Sequence, residues 1–367
     1  MGITDAFFAL LRSGLEGTDA EKDLLRGLTA EQWYGIYRMA ESQALLGIVF
    51  DGISSTDREM RPPRELILRW MEKVVGIEKM NGRLNSMVER LNSVYASAGM
   101  KPVLLKGQGV AELYRIPAHR QCGDIDIYLG KAGQKTGNRI LEGIGAEKKE
   151  EESEKHASFL LDGVMIENHR IMCTMDNPLH NRRLQKMVET WYPDGAVNNG
   201  RMAVPPPTFN AMYVFIHAFT HFMNGGIGLR QLCDWYCILK NCNRDIDGEK
   251  LTADLKRLGL MKAARAFGYV IVNKLGLPAE FMPFDTRGSE KDGEMVLKEV
   301  LASGNFGRYD TRIPGRPKGY WKGKWFSYSK GMERTKRFFR LAPTEVMWYP
   351  YHLISNFIRS IVGLKRI

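Results

Sequence analysis

A two-residue turn signal near the middle of the chain restricts the fold more than any other feature. Asp162-Gly163 separates two short apolar runs, 157–161 and 164–167. An Asp-Gly pair between apolar runs predicts a tight β-hairpin, because these two residues tolerate the left-handed backbone that the turn requires. Upstream, residues 125–129 alternate apolar and polar side chains as a strand does. Residues 102–170 are therefore predicted to form a small α/β unit.

Helical periodicity occupies the chain on both sides of this unit. Before it, residues 65–95 place apolar side chains at intervals of three and four, and Pro62-Pro63 suits the start of that helix. After it, Pro205-Pro206-Pro207 marks a linker. Further helices are predicted at 209–223, 227–239, 251–258, 263–275 and 294–301. The predicted fold class is α+β, and the predicted domains are 1–100, 101–204, 205–303 and 304–367.

The positive charge of the chain is concentrated at one end. Residues 1–300 hold 39 basic and 39 acidic side chains, whereas residues 301–367 hold 14 and 3, together with 13 of the 37 aromatic residues. Three interpretations of residues 304–367 remain open. They are a nucleic-acid contact, a peripheral membrane contact through an amphipathic helix at 348–361, and a C-terminal extension that packs its aromatic side chains onto the body.

Several protein classes are excluded. No apolar stretch approaches the roughly 18 residues of a membrane-spanning helix, so no integral membrane segment is expected. The first 11 residues contain Asp5 and no early basic cluster, which argues against a secretory signal, and the expected compartment is the cytoplasm. Five cysteines without close pairing favour buried free thiols. The sequence motifs of P-loop enzymes, serine hydrolases and zinc peptidases are absent.

Two aspartates on one predicted strand are the first candidates for chemistry. Asp124 and Asp126 stand two residues apart, so their side chains project from one face while Ile125 and Ile127 enter the core. Neighbouring carboxylates repel each other unless a cation lies between them, and oxygen ligands suit Mg²⁺ or Mn²⁺. Glu167, near the end of the strand after the hairpin turn, adds a third carboxylate if that strand is a neighbour. Three carboxylates on two strands can hold two Mg²⁺ ions, although Asp-x-Asp alone is a common surface pattern.

The order of these residues resembles a known signature. Leu104-Leu105-Lys106-Gly107, then Leu113-Tyr114, Arg120 and Asp124-Ile125-Asp126-Ile127, resembles the signature of the nucleotidyltransferase superfamily related to DNA polymerase beta. The chain is most similar to a bacterial branch of nucleotidyltransferase family proteins, whose helical segment is matched by His217, Arg230, Leu232 and Asp234-Trp235. The resemblance covers roughly residues 30–300. It implies a small mixed-sheet core of the polymerase beta-like kind, inserted between N-terminal helices and a C-terminal helical domain.

The resemblance also implies roles for the residues around the aspartates. Gly107 and a helix beginning at Gln108 would lie under the nucleotide phosphates, where free backbone amides attract anions. Gln108 stands where Ser or Gly is usual in the superfamily, and Lys106 would compensate by contacting a phosphate. Arg120 either contacts a triphosphate or forms a surface salt bridge.

The third carboxylate follows the branch's pattern of an acidic residue, a spacer and a histidine. Glu167 stands where Asp is more usual in the branch. His169 shares the face of Glu167, because the two residues are two positions apart on one predicted strand. It either contacts the metal or substrate or is an ordinary strand-end histidine. These two interpretations remain open.

Three weaker patterns have structural explanations beside functional ones. His217 and His221 have a metal-binding spacing but no third ligand nearby, which favours polar residues at a domain interface. Arg230 and Asp234 either form a helix ion pair or line the cleft. Residues 243–254 imitate a calcium loop, but a loop that caps the next helix is favoured.

The leading hypothesis is an enzyme that uses Mg²⁺ or Mn²⁺ to transfer a nucleoside monophosphate from an NTP, with ATP expected, to an acceptor hydroxyl. Asp124, Asp126 and Glu167 would form a two-metal site. A nucleotide-binding module without turnover is a second hypothesis, favoured by Gln108. An enzyme that modifies RNA or tRNA is a third, favoured by the basic tail. The acceptor, whether small molecule, sugar, protein or RNA, stays open.

Overall fold

The computed structural model describes residues 2–149, 155–198, 200–312 and 317–348, together with positions 350, 351, 354, 355 and 358. The N-terminal part is helical, as the periodicity predicts. Its helices are α1 (Ile3–Glu16), α2 (Lys22–Leu25), α3 (Ala30–Ser42), α4 (Leu46–Ser54) and α5 (Arg64–Ser97). Helix α5 begins directly after Pro63 and contains 34 residues, which gives it a length of about 50 Å.

The middle of the chain forms a mixed sheet. Its elements are β1 (Val103–Leu105), α6 (Gly107–Ala111), β2 (Ile125–Tyr128), α7 (Gly130–Gly143), β3 (Glu147–Lys148), β4 (His156–Leu161) and β5 (Val164–His169). The strand order is β1-β2-β5-β4-β3. Strands β2 and β5 are parallel, and the other neighbouring pairs are antiparallel. The predicted α+β class is confirmed.

The predicted hairpin is present between β4 and β5. Its turn residues, Asp162 and Gly163, have φ angles of 50° and 74°. Leu161 pairs with Val164, and the pairing continues outward to His156 and His169. The turn therefore sets which side chains of the two strands lie opposite each other.

The C-terminal half is again helical. Between the sheet and these helices lie α8 (Pro178–Glu189), β6 (Val197–Asn198) and β7 (Ala203–Val204), which the sequence patterns did not predict. The following helices are α9 (Pro207–Asn224), α10 (Leu229–Asn241), α11 (Gly248–Arg257), α12 (Met261–Asn273) and α13 (Glu290–Ser303). They match the five predicted helical segments within a few residues.

The buried apolar side chains form two clusters, and α5 joins them. Trp70 and Val74, in the first half of α5, belong to the cluster that also contains the buried side chains of α1–α4 and α9–α13. Leu84 and Tyr95, in its second half, pack with the inner face of the sheet. Helix α5 therefore contributes buried side chains to both clusters. The five cysteines are free thiols, and all except Cys242 are buried, as predicted.

Part of the basic tail packs onto the body. It contains α14 (Tyr320–Phe338) and α15 (Pro343–Val346). Phe338, Leu341 and Val346 are buried in the helical cluster, as expected for an extension that packs on the body. Trp321 and Trp325, by contrast, are 66% and 72% exposed. The candidate interfacial helix at 348–361 lies largely outside the described residues. In the described part of the chain, no helix combines the length and apolar character needed to cross a membrane.

Candidate active site

Three carboxylates meet where β2 lies beside β5. The parallel register places Asp126 opposite Glu167, and Asp124 directly precedes β2. Ile125 and Ile127 point into the sheet core, so the two aspartates share the other face. Ligand oxygens of Asp124, Asp126 and Glu167 lie within 4.8 Å of one another. The structure therefore brings together the three residues singled out in the sequence.

Lys106 provides one internal positive charge for this cluster. It lies in the turn between β1 and α6, with an unusual positive φ of 32°. Its Nζ is 2.9 Å from Asp126 Oδ2 and 3.9 Å from Asp124 Oδ2. Burial lowers the pKa of Lys106, but the two aspartates outweigh burial and raise the pKa above its usual value. The ammonium group is therefore charged and partly neutralises the carboxylates.

His169 provides a second internal positive charge. Its Nε2 donates a hydrogen bond to Asp126 Oδ1 at 2.9 Å and lies 3.3 Å from Glu167 Oε2. Burial lowers the pKa of His169, but the hydrogen bonds to Asp126 and Glu167 raise it to about 9. Burial raises the pKa of Glu167, but the bond from His169 brings it below the ordinary value. His169 thus contacts the carboxylates directly.

Gln108 faces away from the cluster. The helix that it belongs to, α6, begins at Gly107, which has a φ of 42°. The amide of Gln108 is 3% exposed, and its Nε2 donates to Asn85 Oδ1 of α5 at 2.7 Å. Its Oε1 is buried and has no hydrogen-bond partner among the described residues. The side chain of Gln108 therefore ties α6 to α5, and Gly107 is the residue beside the cavity described next.

A small cavity adjoins the carboxylates on the side of α9 and α10. Its lining includes Lys106, Gly107, Arg120, Asp124, His217, Arg230, Asp234 and Phe306. The walls carry several positive groups. They come both from the segment that contains the mixed sheet, called the sheet part below, and from the C-terminal helices, called the helical part. This is the composition expected of a site for an anionic ligand.

Arg120 is held by a buried carboxylate of α10. Its Nε and Nη2 donate to the two oxygens of Asp234 at 2.8 and 2.6 Å. Tyr114 Oη donates to the same carboxylate at 2.7 Å. Burial raises the pKa of Asp234, but the charge of Arg120 lowers it below the ordinary value. Asp234 is thus ionised and pairs with Arg120, 114 residues away, rather than with Arg230 on its own helix.

Among the described residues, Arg230 has no carboxylate partner, and its Nη2 donates to Asn305 Oδ1 at 3.5 Å. Its Nη1 donates to the carbonyl oxygen of Gln121, and its guanidinium lies 5.8 Å from the centre of the Phe306 ring. Its Nε is buried without a hydrogen-bond partner in the described part of the chain. Burial and the charge of Arg120 lower the pKa of Arg230. A buried guanidinium with an unused donor beside a cavity is the group that an anion would satisfy.

The histidine pair on α9 is close to the cavity but outside the carboxylate cluster. The rings of His217 and His221 are 4.4 Å apart. Burial and the charge of Lys106 lower the pKa of His217 well below 6.5 and that of His221 to about 4. Both imidazoles are therefore neutral. Among the described residues, the groups with metal-binding geometry do not include this pair, and His217 lies between the helical part and the sheet part, as the interface interpretation predicts.

The calcium-like pattern at 243–254 is a helix cap. Asp247 Oδ1 accepts a hydrogen bond from the backbone N–H of Lys250 at 2.8 Å, at the start of α11. Asp254 forms an ion pair with Lys250 at 2.9 Å. The favoured structural interpretation is confirmed.

One residue near the cluster was missed in the sequence. His156 begins β4 and pairs with His169 across the hairpin, and its Nε2 is 3.6 Å from Glu167 Oε1. Burial lowers the pKa of His156. The signal was present, because pairing counted outward from Asp162-Gly163 places residue 156 opposite residue 169.

The comparisons with known proteins identify one family. The sequence model described as uncharacterised nucleotidyltransferase matches residues 29–275, which is more than half of the chain. The matched range includes the three carboxylates, Lys106, and Arg230 with its cavity partners on α9 and α10. No curated protein and no solved structure matches the chain.

Proposed function

This chain belongs to the family of uncharacterised nucleotidyltransferases, whose general activity is nucleotidyl transfer, and from that premise we propose a specific reaction. The protein transfers a nucleoside monophosphate from an NTP, with ATP as the first candidate, to an acceptor hydroxyl. The new bond joins the acceptor oxygen to the α-phosphorus. The bond between the α-phosphorus and the bridging oxygen breaks, and pyrophosphate leaves.

The carboxylate cluster carries this proposal. Asp124, Asp126 and Glu167 are oxygen ligands from two paired strands, and their oxygens lie within 4.8 Å of one another. The charges of Lys106 and His169 offset two of the three carboxylate charges, and the remaining negative charge favours a cation. The donor set fits Mg²⁺ or Mn²⁺. When bound, two such ions would activate the acceptor hydroxyl and neutralise the phosphates.

Glu167 has two compatible roles. Because His169 keeps its pKa low, Glu167 is ionised at neutral pH and suits a metal ligand. The same ionised carboxylate can accept the proton of the acceptor hydroxyl. In both roles it acts beside Asp126, its register partner on β2.

The cavity supplies the positive charge that a triphosphate requires. Lys106 and Arg230 line it, and Arg230 has an unused donor. We assign the phosphate contact to these two residues and to the backbone at Gly107. Arg120 lines the same cavity, but its guanidinium is engaged with Asp234, so we give it the role of holding α10 against the sheet part. Positioning and charge neutralisation account for most of the catalysis expected in such a site.

Substitution of the two aspartates tests the proposal. In the double variant Asp124→Asn and Asp126→Asn, pyrophosphate release and transfer of α-labelled nucleotide should fall below detection, because amides cannot balance two divalent ions. Asp162→Asn is the matched control, since Asp162 is an exposed aspartate in the turn of the same sheet, and it should keep full activity. Transfer by the double variant at the wild-type rate would refute the assignment.

A nucleotide-binding module is the second candidate function, and the orientation of Gln108 favours it. The side chain at the position usually occupied by Ser or Gly contacts Asn85 and is not available to a phosphate. Calorimetry with ATP and Mg²⁺ beside a pyrophosphate assay separates the two candidates. A binding module would bind ATP without releasing pyrophosphate with any acceptor.

A further inference from the structure

A cluster of two histidines and a carboxylate lies next to the three carboxylates. His156 and His169 face each other across the β4–β5 hairpin, with ring centres 4.8 Å apart. Glu167 shares a strand face with His169, because the two residues are two apart on β5. The hairpin register therefore puts two imidazoles and one carboxylate on the same patch of the sheet.

The donor atoms have distances that suit a single metal ion. Glu167 Oε1 is 3.6 Å from His156 Nε2, and Glu167 Oε2 is 3.3 Å from His169 Nε2. All three residues offer a donor atom within 4.8 Å of the others. At His169 Nε2 the metal ion would replace the proton, and with it the hydrogen bond to Asp126 Oδ1. In a tetrahedral site with bonds of about 2.1 Å, neighbouring donors are about 3.4 Å apart. His156 is that close to one oxygen of Glu167 and His169 to the other, so the carboxylate lies between the two imidazoles at donor-to-donor spacing.

The cluster is also accessible from solvent on one side. The side chain of His156 is 25% exposed and that of Glu167 is 20% exposed, whereas that of His169 is 9% exposed. Three protein ligands leave one position for water or a ligand in a four-coordinate metal site.

The ligand chemistry differs from that of the carboxylate cluster. Imidazole nitrogens suit transition-metal ions such as zinc, copper, iron and nickel, whereas carboxylate oxygens alone suit magnesium, calcium and manganese. We propose that His156, Glu167 and His169 form a binding site for a transition-metal ion beside the magnesium site. Glu167 belongs to both donor sets. This site goes beyond the proposed nucleotidyl transfer and does not require it.

Cobalt binding by the full-length protein tests the proposal. After chelation and dialysis, the protein is titrated with Co²⁺ in excess Mg²⁺, and the visible d–d absorption of Co²⁺ in a nitrogen and oxygen site is followed. The wild type should bind one Co²⁺ per chain. His156→Ala should weaken this binding at least about 100-fold, because it removes one of three protein ligands.

Two controls make the outcome specific. His180→Asn changes another buried histidine that faces a glutamate, Glu345 at 3.3 Å, and should leave Co²⁺ binding unchanged. Asp124→Asn should abolish nucleotidyl transfer while Co²⁺ still binds, which separates failure of this site from failure of the enzyme.

His156→Asn, which keeps a polar side chain at the strand end, should lose Co²⁺ binding as His156→Ala does, and circular dichroism checks the fold of each variant. Wild-type affinity in both His156 variants, or no Co²⁺ band in the wild type, would overturn the proposal.

Discussion

The two arginines beside the cavity differ in what balances their charges. Arg120 is paired with both oxygens of the buried Asp234, whereas among the described residues Arg230 contacts only uncharged oxygens and has an unused Nε. The first arginine thus holds the structure together, and the second has capacity for a ligand. Because both arginines line the same cavity, the effects of replacing each one can be compared directly.

Arg120→Ala should lower stability, and Arg230→Ala should lower nucleotide affinity. Loss of Arg120 leaves Asp234 charged and buried, which costs about 3–5 kcal/mol of unfolding free energy. Loss of Arg230 removes charge-assisted hydrogen bonds to phosphate, which corresponds to a rise in the KM for NTP of about 10-fold to 100-fold. Urea unfolding and steady-state kinetics measure the two effects. The assignment is wrong if Arg230→Ala leaves the KM unchanged while a folded Arg120→Ala raises it.

The turn of the β4–β5 hairpin is the element that aligns Glu167 with its partners. Gly163 has a φ of 74°, and a Cβ there would lie 3.0 Å from Arg83 Nη2. Gly163→Ala should therefore lower the unfolding free energy by about 1–2 kcal/mol. Asp162→Asn should be close to neutral, because Asn tolerates the left-handed conformation. Chemical denaturation of the two variants compares these effects, and equal stability of Gly163→Ala and the wild type would contradict this role of the turn.

The carboxylate cluster was predictable because its signals are local in sequence. Asp124 and Asp126 are two apart in an alternating strand, and Glu167 follows an Asp-Gly turn at short range. The sequence suggested only that Glu167 lies on a neighbouring strand; the parallel pairing of β2 with β5, which makes the three meet, was not predicted. His156 was within reach of the same turn signal but was not used.

Other parts of the site could not be predicted, because they depend on contacts between distant segments. Asp234 pairs with Arg120 across 114 residues, whereas the sequence suggested that Asp234 pairs with Arg230 or lines the cleft, and that Arg120 contacts a triphosphate or forms a surface salt bridge. The contact of Gln108 with Asn85 depends on how α6 packs against α5. Periodicity predicts helices and strands, but it carries no information about which polar groups become buried together.

Helix α15 of the tail contacts the loop between β5 and α8. Glu345, in α15, accepts hydrogen bonds from the backbone N–H groups of Asp176 and Asn177. Its Oε2 is 3.3 Å from His180 Nδ1. Burial and the charge of Asp176 raise the pKa of Glu345 to about 7. Burial and the charge of Arg183 lower the pKa of His180, so a protonated Glu345 can donate to a neutral His180.

The contribution of Glu345 to stability should therefore fall as the pH rises from about 4.5 to about 7. In this interval the unfolded chain ionises Glu345, with an ordinary pKa of 4.5, while the folded chain keeps it protonated. Between these pH values the folded chain holds a proton at Glu345 that the unfolded chain has lost. Rising pH therefore lowers the contribution of this group to the free energy of unfolding, by on the order of 3 kcal/mol in total. Glu345→Gln should remove this contribution and be more stable than the wild type at pH 8. Parallel stability profiles of the two proteins between pH 4.5 and pH 8 would contradict the expectation.

Deletion of the tail is a poor test of what the tail binds, because part of the tail is buried. Phe338, Leu341 and Val346 belong to the buried core, so deletion of residues 304–367 would expose apolar surface and confuse binding with unfolding. Trp321 and Trp325 are exposed and can be changed without opening the core. The double variant Trp321→Ser and Trp325→Ser is therefore the better probe of RNA or membrane contact by this segment.

Nucleotidyl transfer is tested most directly by comparing the fate of an α-phosphate label with the fate of a γ-phosphate label on the same NTP. The protein is incubated with Mg²⁺, with NTP labelled at either the α- or the γ-phosphate, and with small-molecule, protein and RNA fractions as acceptors. The expected result is α-label on one acceptor fraction and γ-label in pyrophosphate, with both products absent in the Asp124→Asn and Asp126→Asn double variant. Transfer of γ-label to an acceptor, or recovery of all label in intact NTP with every fraction, would contradict nucleotidyl transfer by this chain.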